Sequence, residues 1–254
     1  MKSPVIITRQ EKEPFIGSDQ FDSGKNLSLE WKNYLPAPER QKKGSFDTWN
    51  CVAFSALNTI ETQMNEMIRN KRMSSRNIEW LTAMGYLQDG YVEFSDRFVG
   101  YTAGTKVGVG NSGSSVAYNI EKYGLVPESM WPFIEGTDEE DYYKRPPKSI
   151  FDIAIEFKTK FKITYGRVWA DNRDEEIKKA PIQLYVNAWH KKYGLYYNPT
   201  ESVNHAIMYY RGNTKQVFDH YEPFVKSLVN SYYYYPSGYR YNIEEIITLS
   251  LIHI

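Results

Sequence analysis

Residues 47–57 read Asp47-Thr48-Trp49-Asn50-Cys51-Val52-Ala53-Phe54-Ser55-Ala56-Leu57, and the turn from polar to apolar within this stretch decides the fold. Asp47, Thr48 and Asn50 offer side-chain oxygens of the kind that cap a helix N-terminus. Beyond them Ala53, Phe54, Leu57, Ile60, Met64, Met67 and Ile68 recur mostly at three- and four-residue steps. That spacing lays apolar side chains along one face of a helix, so a helix is predicted to start near Cys51 and bury that face. Cys51 is the single cysteine of the chain. A thiol attacks only as thiolate, and the unsatisfied N–H groups of a first helical turn favour the anion. Most free cysteines are small buried apolar side chains instead, so its neighbours must decide.

Before this helix, residues 1–30 are polar and aperiodic, an arm lacking the uninterrupted apolar core of a secretory signal. After it, residues 76–113 carry Gly85, Gly90, Gly100, Gly104, Gly108, Gly110 and Gly113, a density that predicts loops with short helical pieces. Ser114–Tyr123 reads as a helix closed by Gly124. Past the turn-rich segment 127–147, strand-like runs follow at 161–168, 182–186, 203–210, 216–221 and 224–235. Helices first and strands second predict an α+β protein, with a mainly helical lobe over 31–133 and a mainly antiparallel β lobe over 134–254.

The 254 residues, 41% hydrophobic, suffice for a buried core. Thirty-one basic residues balance thirty-one acidic ones, so no net field draws the chain to nucleic acid or an anionic membrane. No apolar run approaches the roughly 18 residues of a membrane span. One cysteine allows no intramolecular disulfide, which suits a reducing intracellular compartment. The histidines are scattered and the 108–113 glycines lack a following lysine, so neither a metal nor a nucleotide is expected as cofactor.

His205 lies at the head of an apolar run and has two candidates for the group that orients it. Arg211-Gly212-Asn213-Thr214 is a hairpin signal between two strands. A turn centred on Gly212 sets His205 opposite Asp219, and a slip of one residue would bring His220 there instead.

The other candidate comes from a resemblance. Cys51-Val52-Ala53-Phe54-Ser55, Gly110-Asn111-Ser112-Gly113, Gly124-Leu125-Val126-Pro127, Asn204-His205-Ala206 and Asn230-Ser231-Tyr232 are similar, in this order, to segments of the papain-like cysteine peptidases. The resemblance spans about residues 31–241 and implies a two-lobed fold with the site in the cleft between lobes. It implies that Cys51 is nucleophile, His205 its base and Asn230 the residue orienting the imidazole, with Tyr232 shielding that contact. On this alignment Asn230 is favoured and Asp219 stands as the alternative. Ser112, Gly113 and Asn204 would contact substrate. Gln41 would be one oxyanion donor, although it stands ten residues before Cys51, farther than the family's glutamine, and Val52 replaces the family's tryptophan.

The implied chemistry is hydrolysis of a peptide or protein substrate through a thioester, with no nucleic acid or membrane partner. Two alternatives share the motifs. One is a thiol amidase or acyltransferase, and the other is a catalytically weak scaffold that binds without cutting.

Overall fold

The computed structural model describes residues 30–198, 202–211, 215–229, 232 and 236–247. Helix α1, Cys51–Arg69, starts where the polar-to-apolar change places it. Its Ncap residue, Asn50, makes no side-chain cap; its carbonyl alone receives the N–H groups of Ala53 and Phe54. The Asn50 amide instead donates to the Asp96 carbonyl and the Tyr142 hydroxyl and accepts from Thr105. Gly100 makes room for this, since a Cβ there would lie 2.6 Å from Asn50 Nδ2. The helix also buries more than the one face that periodicity predicts. Every residue from Cys51 to Met67 is buried, and polar ones find partners inside, as where Glu61 accepts from Phe94 N and Asn65 from Val92 N.

Around α1 pack α2 (Ser75–Ala83), α3 (Asp96–Ala103) and α4 (Gly113–Tyr123), each started by a serine that accepts from the backbone: Ser74, Ser95 and Ser112. The short α5 (Glu139–Tyr142), then α6 (Lys148–Lys160) and α7 (Arg173–Lys179), continue the helices past residue 133. Two small hairpins, β1 with β2 (Lys42–Lys43, Phe46–Asp47) and β3 with β4 (Leu87–Gln88, Tyr91–Val92), lie in the same half.

The main sheet holds β5 (Phe161–Trp169), β6 (Ile182–Val186), β9 (His205–Arg211), β10 (Gln216–Phe218), β11 (Val225–Ser227) and β12 (Ser237–Glu245), in the order β11-β10-β9-β6-β12-β5. All its pairs are antiparallel. The small pair β7 (His190–Lys192) and β8 (Leu195–Tyr197) lies beside it. The run predicted at 224–235 is a strand only over Val225–Ser227 among its described residues.

Strand β9 is buried almost throughout, so its alternation sorts residues between two apolar faces rather than between core and water. Ala206 joins the main core with α1, and Met208 and Tyr210 pack with Trp31 and Phe218. Ile207 and Tyr209 join Val217, Tyr196 and Tyr232 on the opposite face. Trp31, though early in the chain, thus belongs to the sheet, and its indole donates to Ile177 O. Among the described residues no helix is long and apolar enough to cross a membrane.

Candidate active site

The sheet presents His205 at the first position of β9, and Asp219 follows directly on β10. The ladder pairs Phe218 with Met208, with a register shift between Gln216 and Val217. One step further Asp219 falls beside Ile207, two residues from the register that a turn centred on Gly212 predicts. An even displacement keeps side chains on the same face of a sheet whereas an odd one flips them. His205 and Asp219 therefore meet diagonally: His205 Nε2 lies 2.7 Å from Asp219 Oδ1. The His220 ring lies 4.7 Å from that of His205 and 5.2 Å from that of Phe54 in α1.

Asp219 is wholly buried and both of its oxygens are engaged. Oδ1 receives His205 and the His220 backbone N–H at 2.8 Å. Oδ2 receives the Trp189 indole at 2.8 Å and the Lys226 ammonium at 2.7 Å. Burial works to raise its pKa, but the charge and hydrogen bond of His205, with His220 and Lys226 behind them, hold it well below the usual carboxylate range. Burial likewise works to lower His205. The Asp219 charge and hydrogen bond, and then a hydrogen bond with the Cys51 side chain, outweigh it and lift the imidazolium to about 10. With Nε2 on Asp219, Nδ1 is the nitrogen left for the thiol. His220 is pushed down to about 3 by burial, with Asp219 opposing and the His205 and Lys226 charges assisting; it is neutral at pH 7.

Cys51 is the first residue of α1 and its side chain is fully buried. Its backbone N–H has no acceptor within the helix, as for any first helical residue. Gln41 reaches this region from the segment before β1. Its backbone N–H bonds His220 O at 3.1 Å, and its amide nitrogen donates to Asp47 Oδ1 at 2.8 Å and to the Tyr221 hydroxyl at 2.9 Å. Tyr221 in turn donates to Asp47 Oδ2, and its ring stands 5.4 Å from that of His205. Both amide hydrogens of Gln41 are thus directed at Asp47 and Tyr221.

The other sequence candidates fall in different places. Ser112 caps α4, and Gly113 sits against the sheet, where a Cβ would lie 1.7 Å from Tyr185 Oη and 2.8 Å from the Tyr239 ring. The Asn204 side chain pairs with the backbone of Ala188, accepting from its N–H at 2.8 Å and donating to its carbonyl. Tyr232 donates to Asn187 O and its ring lies 6.2 Å from Trp189. It is Trp189, 5.9 Å from the His205 ring and edge-on to it, together with Tyr221, that flanks the imidazole. Asn230 lies outside the described residues. Trp189, Tyr221 and Lys226 were not among the sequence candidates; only Trp189, an aromatic in a polar stretch, carries a visible cue.

Two groups have the residue types of a metal site. In His205, Asp219 and His220 the ligand atoms lie within 4.8 Å of one another, but four donors already fill the Asp219 oxygens and two of them, the His205 imidazolium and the Lys226 ammonium, are cations, so the set does not fit a metal. Glu39, Asp96 and Glu128 form the other. There burial raises all three carboxyls, Asp96 to about 6, and Lys43 lies 3.9 Å from Glu39. Burial thus disfavours the charged form of all three.

No protein-family model matches the sequence, and no curated protein does. Among solved structures, the chain is similar to digestive procathepsin L 3 of the Tenebrio molitor larval midgut at 15% identity and a TM-score of 0.53, over 87% of this chain and 69% of that one. It is also similar to xylellain, a cysteine protease from Xylella fastidiosa, at 16% identity and a TM-score of 0.51, over 86% and 90% of the two chains. The fold is that of the papain-like cysteine proteases, an α+β fold with a helical and an antiparallel part.

Proposed function

We propose that this chain is a cysteine peptidase in which Cys51 is the nucleophile, His205 its acid–base partner and Asp219 the group that orients the imidazole. The observation that carries this reading is the 2.7 Å contact of the buried His205 Nε2 with Asp219 Oδ1, which leaves Nδ1 for the Cys51 side chain, a group that together with Asp219 lifts His205. An ionised carboxylate accepts from Nε2–H and fixes the tautomer that turns Nδ1 to the thiol. The thiolate attacks the substrate carbonyl, and the Cys51 N–H faces the developing oxyanion. The imidazolium gives its proton to the leaving amine, and water then hydrolyses the thioester with His205 as base. Gln41 serves as second oxyanion donor only after one of its amide hydrogens leaves Asp47 or Tyr221.

A second reading, a scaffold that binds without cutting, is favoured by two observations: Cys51 has no exposed surface, and the Gln41 amide is already bonded. Iodoacetamide alkylation of Cys51 across about pH 4–9 in the wild type and in His205→Ala separates the two. The peptidase reading expects a rate that persists below about pH 6 and falls at that pH by at least roughly a hundredfold in the variant. A single titration near pH 8.5, the same in both proteins, favours the scaffold.

A further inference from the structure

Lys226 is the central residue of edge strand β11. Lysines on edge strands ordinarily hold their ammonium in water, and Val225 beside it is exposed. Lys226 does the reverse, being 1% exposed. Its ammonium has three hydrogens and three partners: Asp219 Oδ2 at 2.7 Å, Tyr221 O at 2.5 Å and Pro223 O at 2.7 Å. The Trp189 and Tyr196 rings cover it at 5.2 and 5.7 Å.

A carboxylate in place of a neutral amide alters the chemistry of a thiolate–imidazolium pair. With Asp219 alone, the buried set of thiolate, imidazolium and carboxylate carries a net negative charge. The extra charge raises the proton affinity of the imidazole. Adding the ammonium gives four alternating charges with zero sum. We propose that Lys226 is a positioning residue of this site, whose ammonium offsets the Asp219 charge and thereby sets the proton affinity of His205. The inference rests on the thiolate–imidazolium reading above. The other titratable groups facing the set are Cys51 from α1, His220 and Tyr221 after β10, Lys191 from β7, Tyr196 from β8 and Tyr232.

The test is the His205 titration midpoint, read by 15N-histidine NMR in the intact protein, together with Cys51 alkylation at about pH 6. Lys226→Met is expected to raise the midpoint by about one unit, a tenfold tighter hold on the proton. Asp219→Asn leaves an ammonium facing an amide, so it should lower the midpoint and slow alkylation at least roughly tenfold. Adding Lys226→Met to Asp219→Asn should recover most of that loss, because the site becomes neutral again. The double variant buries no unpaired charge, so the comparison with Asp219→Asn stands even where Lys226→Met alone does not fold.

Midpoints unmoved by Lys226→Met, or a double variant no faster than Asp219→Asn, would overturn the role of Lys226. That result with wild-type alkylation still dependent on His205 leaves the peptidase reading intact. Alkylation independent of His205 removes that reading, while the order of midpoints still decides whether Lys226 acts on His205.

Discussion

Two groups of buried acids in this molecule depart from the usual carboxylate pKa in opposite directions. Asp219 receives four donors and is held ionised. In the helical half, Asp96 Oδ1 and Glu128 Oε2 have no hydrogen-bond partner among the described residues, and burial pushes Asp96 to about 6 and the neighbouring Glu61 to about 8. Burial itself raises a carboxyl pKa in both places. The cations that face a buried acid decide whether it stays a fixed charge or shifts toward its protonated form. Only the first kind can orient a histidine as a constant acceptor.

The largest test of this contrast removes the fixed charge. Asp219→Ala leaves the Lys226 ammonium buried and unpaired, and is expected to cost about 3–5 kcal/mol of stability at pH 7 by denaturant unfolding. A loss below about 1 kcal/mol would mean that water or a neutral lysine takes up the change.

Next in size is Glu61. Its carboxyl is 6% exposed and raised to about 8 from an ordinary 4.5, chiefly by burial. The stability of the protonated form is full below the unfolded value and is lost as pH rises through about 8. Glu61→Gln, which keeps an acceptor for Phe94 N, is expected to gain on the order of 3 kcal/mol at pH 8 and little at pH 4. Equal effects at both pH values would place the Glu61 carboxyl with the fixed charges instead. His205, raised to about 10, adds a second alkaline slope, its contribution present below about 6.5 and lost through 10. Asp219 acts at the other end: its contribution is present above about 3.9 and lost as pH falls.

The smallest effect comes from thinning the donors on Asp219. Trp189→Phe removes the indole N–H and is expected to cost about 1.5 kcal/mol, with the midpoint of His205 moving upward as the carboxylate loses a competing donor. Unchanged stability would show that the remaining three donors suffice.

Much of the framework was legible because it rests on local pattern. The start of α1 at Cys51, the end of α4 at Gly124 and the bounds of β6 follow from periodicity, a glycine stop and a run of apolar residues. Helix α6 was missed although Ile150, Ala154 and Phe157 stand at helical spacing and are buried together; the turn-rich segment up to Pro147 masked where it begins. The site was harder to read. Which residue meets His205 depends on ladder register, and a shift between Gln216 and Val217 has no signature in composition. The resemblance pointed to Asn230, hairpin counting pointed to Asp219, and the carboxylate bonded to His205 is Asp219. Lys226 was illegible, because an inward lysine on an edge strand looks the same in sequence as an outward one.

The segment ahead of α1 has one further consequence. Gln41 is bonded to His220 O and Tyr221, and Arg40 to Glu222, so the approach to the cysteine-bearing helix is stitched to the loop that follows the histidine-bearing strands. The Cys51 thiol at the start of that helix has no exposed surface. A reagent reaches Cys51 only when the structure around it opens. Its alkylation rate combines the frequency of opening with the reactivity of the thiol, and the shape of its pH profile isolates the second.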